Sequence, residues 1–172
     1  TVVMGIVNVI ACTSAIFFVD TRGRKPLLYW GYLGMALSML CLTIAFALGV
    51  SSGIIKIIAV LSIVGFLITF AFSSGPIMWL LCAEIFPLNG RDFGMAVATC
   101  TNWVCNFILA LVFLTILNAV GPSITFLGFT IFNTLCLVLI FYLLPETKGI
   151  SLENIQKNLL SGKRLRDLGA RQ

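Results

Sequence analysis

Amide and indole side chains stand inside long apolar runs of this sequence. Trp79 follows a Gly-Pro pair, and Asn102 and Asn106 lie four residues apart, a spacing that places both on one face of a helix. Amides donate and accept hydrogen bonds, while an indole offers a flat apolar face and one donor. This combination suits a neutral, polyhydroxylated ligand such as a sugar. Hydrogen bonds between membrane helices, or tryptophans placed at a membrane surface, explain the same residues without a ligand.

Charged residues cluster beside the apolar runs. The short connection 20–25 contains Asp20 and Arg24, Glu84 closes the third apolar run, and Arg91 follows seven residues later. A carboxylate at a membrane boundary needs a cationic partner or water. We therefore expect Glu84 to lie near Arg24 and Arg91, where a charge cluster can act as a latch between two conformations. Ordinary solubility of the connecting loops is the alternative.

Side chains that usually carry enzymatic chemistry are scarce. The chain has no histidine, which excludes imidazole zinc sites and Ser-His-Asp or Cys-His catalysis within it. Carboxylates are not paired deep in the apolar runs, so we do not expect an enzyme. The six cysteines form no CxxC pattern, and we interpret them as free thiols rather than metal ligands.

The elements that would position these residues are membrane helices. Of the 172 residues, 60% are apolar and 10% are charged, and the mean hydropathy is +1.11. A soluble domain with this composition would leave a large apolar surface in water, which excludes soluble globular and disordered proteins. The net charge is +5, but the chain has no basic soluble domain that could bind nucleic acid, so we expect no nucleic-acid partner. The lipid bilayer is the expected environment.

Charge-free runs predict five membrane-spanning helices and an all-α fold. The run that starts at residue 93 is too long for one crossing of about 20 residues, and the turn-forming segment 118–122 divides it. The third helix should kink or break within 73–76, because Pro76 cannot donate a backbone hydrogen bond. In transporters, broken helices often line the binding cavity. The alternative is a structural kink that packs against a neighbouring helix. The predicted spans are 1–19, 27–49, 54–82, 93–117 and 123–144.

The distribution of Lys and Arg predicts the orientation. Alternate connections carry ten and one of these residues, so the first connection, the third connection and the tail are expected in the cytoplasm. The chain then divides into a transmembrane part, 1–145, and a cytoplasmic tail, 146–172. Apolar residues within 152–160 follow helical spacing and predict a short amphipathic helix. Because the chain starts at Thr1 inside an apolar run, we expect it to be a fragment of a longer protein.

Four segments occur in a fixed order along the chain. They are VDTRGRKPL at 19–27, GPIMW with AEIFP at 75–87, TNWVCNF at 101–107 and PETKG at 145–149. In this order they resemble the C-terminal half of a major facilitator superfamily sugar porter: the loop between helices 8 and 9, helix 10, helix 11 and the end of helix 12. Segment 87–94 and the tail are similar to those of the bacterial galactose–proton and arabinose–proton symporters. The resemblance covers essentially the whole chain.

The resemblance implies a twelve-helix fold in two halves. This chain would be helices 8–12, and the N-terminal half and helix 7 would be missing from it. A monosaccharide would bind between the halves near mid-membrane. The residues that match sugar-contacting or cavity-lining positions are Trp79, Asn102, Trp103, Phe70 and Gly75. The residues of the implied cytoplasmic gating network are Arg24, Glu84, Arg91, Glu146 and Asp20.

The implied function is proton-coupled symport of a monosaccharide by alternating access. The proton would be the coupling ion, no other cofactor is expected, and the titrating Asp would belong to the missing half. Facilitated diffusion without protons, or a non-transporting sugar receptor of the same fold, stay open as alternatives, and the sugar is not specified. The implied location is the cell (inner) membrane, multi-pass, with a cytoplasmic C-terminus.

Overall fold

The described residues of the chain form six α-helices. The computed structural model describes residues 2–49, 52–87, 90–148, 150 and 152–161. The helices are α1 (Val2–Arg22), α2 (Arg24–Ala47), α3 (Gly53–Phe72), α4 (Ser74–Ile85), α5 (Arg91–Leu143) and α6 (Leu152–Leu160). The described residues contain no strand, which confirms the predicted all-α fold. The six cysteines are free, as predicted.

Long apolar helices dominate the described part of the chain. Three helical stretches are long and apolar enough to cross a membrane, namely Arg24–Ala47, Gly53–Ile85 and Arg91–Leu143. Within α1 the apolar segment Gly5–Val19 is shorter. The helices run past the predicted limits of 19 and 27, because α1 continues through its charged end and Gly23 alone separates it from α2.

The 53-residue helix α5 folds back on itself at Gly121. Gly121 has φ 83° and ψ 164°, a conformation that glycine adopts without the steric penalty of a side chain. The rings of Phe113 and Phe129 have centroids 6.2 Å apart, whereas a straight helix would separate these residues by about 24 Å. Helix α5 therefore consists of two adjacent arms, 91–120 and 122–143, which correspond in sequence position to the last two of the five predicted spans, 93–117 and 123–144.

The third predicted span consists of two helices, α3 and α4, which meet at Ser73. Ser73 has φ −123° and ψ −79°, outside the helical region, and its side chain is fully buried. In an unbroken helix the ring of Pro76 would clash with the carbonyl group of Phe72, four residues earlier. Helix α3 ends at Phe72, so the proline lies in the first turn of α4, where it is tolerated. The break falls within the predicted segment 73–76.

Small residues bring α2 close to this break. A Cβ atom on Gly31 would lie 1.7 Å from Oγ of Ser73, and one on Gly34 would lie 2.5 Å from Cγ2 of Thr69. Ser73 also donates a hydrogen bond to the carbonyl oxygen of Thr69 at 2.7 Å. Packing of small residues is a common way for membrane helices to approach each other. The two glycines therefore let α2 hold the junction of α3 and α4 at contact distance.

The second arm of α5 packs along α2. The rings of Phe46 and Phe126 stack with centroids 5.4 Å apart, and Ser123 donates to the carbonyl oxygen of Thr43 at 3.2 Å. By contrast, every residue from 100 to 112 in the first arm is exposed. The main buried cluster joins α1, α2, α4 and the second arm and consists of Val19, Leu27, Leu28, Ile77, Leu81 and Ile140.

Helix α6 lies where the spacing of the tail predicts a helix, and it contacts α4. Its Ile155 and Asn158 are buried. The rest of the tail, 162–172, lies outside the described residues.

Candidate functional site

A cavity of about 450 Å³ lies between α4 and the first arm of α5. The end of α3 and one residue of α2 complete its wall. Four of the five predicted ligand-contacting residues line it, namely Phe70, Gly75, Trp79 and Asn102. The other lining residues are Tyr32, Ser74, Met78, Cys82, Ala98, Thr101 and Asn106.

Each of the two main helices presents one face to the cavity. In α4 the lining residues Gly75, Met78, Trp79 and Cys82 follow the three- and four-residue spacing of one helical face. In the first arm of α5, residues 98, 101, 102 and 106 repeat this pattern. Helix α3 ends at Phe72 and α4 starts at Ser74, so the lining residues Ser74 and Gly75 belong to the first turn of α4.

The polar groups of the cavity are amides, hydroxyls, a thiol and an indole. Nδ2 of Asn106 donates to the carbonyl oxygen of Asn102 at 2.9 Å and to its Oδ1 at 3.1 Å. The hydroxyl groups of Tyr32 and Ser74 lie 3.2 Å apart, and Trp79 is 37% exposed. The described residues that line the cavity carry no formal charge. Such a surface suits a neutral ligand with several hydroxyl groups.

The structure does not bring Trp103 to this cavity. Trp103 is 68% exposed and is not part of the cavity wall. Consecutive side chains of an α-helix point about 100° apart. Thr101 and Asn102 both line the wall, and Trp103 lies a further 100° round the helix, on the side of Asn102 away from Thr101. The sequence motif contains both Asn102 and Trp103, but helical geometry separates their directions.

At the other end of α4, the carboxylate of Glu84 forms an ion pair. Nε and Nη2 of Arg24 donate to Oε1 of Glu84 at 3.2 and 2.9 Å. Both side chains are 14% exposed, and charges this shielded from water interact more strongly than those on an open surface. Oγ1 of Thr147 donates to the other carboxylate oxygen at 2.5 Å. Glu84 thereby links α4 to the start of α2 and to the segment after α5.

Glu146 binds the first turn of α2. Its carboxylate accepts hydrogen bonds from the backbone N–H groups of Arg24 at 3.1 Å, Lys25 at 3.1 Å and Lys148 at 3.0 Å. The first N–H groups of a helix have no partner within it, and the helix dipole favours an anion there. Gly23 makes this contact possible, because a Cβ atom on it would lie 2.7 Å from Oε2 of Glu146.

Lys25 makes the converse contact with the end of α5. Its Nζ donates to the carbonyl oxygen of Phe141 at 2.9 Å and lies 5.9 Å from the centre of that ring. A cation near the last carbonyl groups of a helix is favoured by the dipole. We call this pair of contacts, Glu146 on α2 and Lys25 on α5, the end clasp.

The remaining two residues of the predicted charge network are placed differently. Arg91 is the first residue of α5, and its buried Nε has no hydrogen-bond partner among the described residues. The bonds that the structure describes for Glu84 go to Arg24 and Thr147, not to Arg91. Asp20 belongs to the last turn of α1, and its side chain lies outside what the structure describes.

Sequence reasoning missed several residues of both sites. A tyrosine such as Tyr32 inside an apolar run signals a hydroxyl that needs a partner in the membrane. Thr147 follows directly on Glu146, and its role depends on a contact with α4 that no local pattern predicts. The described residues contain no group of three or more His, Cys, Asp or Glu side chains arranged to hold a metal ion.

Comparison with known proteins identifies the family. Residues 1–159 match the family model described as sugar (and other) transporter. The chain belongs to this sugar transporter family. The match covers all five predicted spans and most of α6, so it includes the cavity, the Arg24–Glu84 ion pair and the end clasp.

Two relatives of this sugar transporter chain are named as proton symporters. It is 44% identical over 170 residues to the galactose-proton symporter of Escherichia coli K12, covering 99% of this chain and 37% of the relative. It is 39% identical over 172 residues to the arabinose-proton symporter of the same strain, covering 98% and 36%. The relatives are transporters rather than enzymes.

Solved structures show the same fold. The inward-open xylose transporter XylE from E. coli matches with a TM-score of 0.83 and 32% identity, over 92% of this chain and 35% of that one. A structure of the XylE proton:xylose symporter bound to 6-bromo-6-deoxy-D-glucose has a TM-score of 0.78 and 30% identity, over 99% of this chain and 34% of that one. The chain therefore has the fold of part of a major facilitator superfamily transporter. It spans little more than a third of the length of these relatives.

Proposed function

We propose that this chain forms helices 8–12 of a twelve-helix symporter, which carries a monosaccharide together with a proton by alternating access. The names of the galactose-proton and arabinose-proton relatives support this proposal. The observation that carries it is the neutral cavity in which Trp79 and Asn102 stand together. The N-terminal half and helix 7 complete the cavity on its open side.

The chemistry of the cavity fits a monosaccharide. An indole offers an apolar surface to the C–H face of a sugar ring, while amides and hydroxyls pair with its hydroxyl groups. Because Asn106 fixes the amide oxygen of Asn102, the N–H groups of Asn102 are oriented before the ligand arrives. Phe70 and Gly75 shape the wall beside the break, where a Cβ atom on Gly75 would lie 3.5 Å from the carbonyl oxygen of Phe70.

Helix α4 connects sugar binding to the charge network. Trp79 and Glu84 lie five residues apart on it, a rise of about 7.5 Å. A shift of α4 on sugar binding therefore moves Glu84 against Arg24, which belongs to α2. We assign Arg24 and Glu84 to a cytoplasmic gate, with Glu146, Arg91 and Asp20 as further members of the network. The gate favours one conformation only by its difference in stability between the two states.

The proton-binding carboxylate of the proposed symporter lies outside this chain. The described lining of the cavity has no carboxylate, and no Asp or Glu stands in the middle of a predicted span. We further propose that the protein is a multi-pass protein of the cell inner membrane and that its C-terminus is cytoplasmic, since the charged connections and the tail carry ten of eleven Lys and Arg residues.

The test uses the complete transporter in de-energised cells. Galactose, arabinose, xylose or glucose is added, and the external pH and the uptake of labelled sugar are recorded. An alkaline shift with one sugar supports proton symport and names a substrate. Uptake without a shift refutes proton coupling and leaves a facilitative transporter. Neither signal with any sugar refutes transport of these monosaccharides and favours a receptor.

Two tryptophans provide a matched pair of variants. Trp79→Ala should abolish the pH shift or weaken sugar binding at least tenfold, because the indole lines the cavity. Trp30→Ala removes an exposed indole of α2 outside the cavity and should leave both signals unchanged. Equal behaviour of the two variants would remove Trp79 from the proposed site.

A further inference from the structure

Tyr32 lines the cavity and belongs to α2, a helix that contributes no other described residue to the cavity wall. Its ring packs against the main buried cluster described above. Its hydroxyl group lies 3.2 Å from Oγ of Ser74, and both residues line the cavity. Packing thus fixes the ring, and the break at Ser73 fixes the position of Ser74 as the first residue of α4.

The two hydroxyl groups cannot satisfy each other completely. Each has one proton to donate and two lone pairs that accept. Their mutual bond uses one proton and one lone pair, whichever of the two donates. One proton and three lone pairs remain, beside an otherwise neutral cavity. A hydroxyl group of a ligand, which itself donates and accepts, can complete this arrangement.

We propose that Tyr32 and Ser74 form a hydroxyl pair that recognises one particular hydroxyl group of the transported sugar, with Tyr32 as a specificity-determining residue. This inference rests on the function proposed above, and it adds a second polar part of the cavity wall that contacts the sugar. Asn102 and Asn106 form hydrogen bonds with the sugar from α5, and the hydroxyl pair forms a hydrogen bond with it from the side of α2 and α4. A sugar that lacks the matching hydroxyl group leaves the pair unsatisfied and binds more weakly.

The experiment measures transport by the complete protein with the parent monosaccharide and its set of monodeoxy derivatives. Tyr32→Phe keeps the ring and its packing but removes the hydroxyl group. We expect the KM of this variant for the parent sugar to rise about three- to tenfold. For one monodeoxy sugar, which the native protein transports with a raised KM, the variant should show no further loss.

A double-mutant cycle tests whether the two hydroxyl groups act together. Ser74→Ala should reproduce the selectivity change, and the double variant should lose little more than either single one. Tyr29→Phe is the matched control, because Tyr29 lies three residues earlier on α2 and does not line this cavity. It should leave KM unchanged for every sugar.

The outcomes separate this inference from the proposed function. If the native protein transports sugar and Tyr32→Phe raises KM equally for the parent and all monodeoxy sugars, Tyr32 has a structural role alone and the inference is overturned. An unchanged KM for all sugars also overturns it. If the native protein transports none of the sugars, the proposed function fails first and this inference fails with it.

Discussion

Replacing Gly31 with alanine would place a methyl group against the junction of α3 and α4. The added Cβ atom would lie 1.7 Å from Oγ and 2.1 Å from Cβ of Ser73, whereas ordinary van der Waals contact begins at 3.4 Å. Ser73 is fully buried and its backbone terminates one helix and starts another, so neither side can yield by a simple rotation. Overpacking of a core costs about 1–3 kcal/mol, and we expect Gly31→Ala to reach the upper end.

The assay is thermal unfolding of the complete transporter in detergent. Gly31→Ala should lower the midpoint by several degrees, and Ser73→Gly in the same protein should recover most of the loss, because it removes both clashing atoms. About 1 kcal/mol should stay lost, since the hydrogen bond from Ser73 to Thr69 disappears. Gly128→Ala is the control, because a Cβ atom there meets nothing within 4 Å. This reasoning would be refuted if Gly31→Ala left the midpoint of thermal unfolding unchanged, or if Ser73→Gly failed to restore the stability of the Gly31→Ala protein.

Three further predictions concern the Arg24–Glu84 ion pair, the end clasp and the cavity. Glu84→Gln removes the charge that pairs with Arg24, so net transport should slow several-fold while sugar affinity changes less; equal rates of uptake would make Glu84 an ordinary surface acid. Gly23→Ala puts a side chain at φ 93° and brings Cβ to 2.7 Å from Glu146, so the free energy of unfolding should fall by about 1–3 kcal/mol, measured by denaturation in detergent. Native stability would contradict that geometry. Trp103→Ala should weaken equilibrium sugar binding less than Trp79→Ala does, and equal losses would place both indoles at the sugar.

The helices and their interruptions were predictable because simple physical rules govern them. A charge-free run must form a helix in lipid, since its backbone groups have no other partners. The ring of Pro76 forbids continuation of the preceding helix, and Gly121 lies in the segment whose composition predicts a turn. The limits of α1 and α2 were less predictable, because a helix can continue past the membrane boundary until Gly23 takes a positive φ.

In the candidate sites, the place of an individual residue was predictable only where the periodicity of one helix face or a family motif determines it. Asn102 and Trp79 line the cavity, but the exposed Trp103 does not, because its direction depends on the rotation of the first arm about its axis. The bond of Thr147 to Glu84 depends on how the chain returns after α5. Such contacts join residues far apart in sequence, so no local pattern indicates them.

The end clasp also has a consequence for the order in which the protein is made. The backbone N–H of Arg24 and the carboxylate of Glu146 are separated by 122 positions. At a synthesis rate of about 5–20 residues per second, α2 exists for roughly 6–25 s before its capping carboxylate leaves the ribosome. During this interval water must satisfy the first turn of α2, and Lys25 has no carbonyl group of α5 to bind. The clasp can therefore close only after both arms of α5 have been made, so α2 keeps an open first turn through the synthesis of α3, α4 and α5.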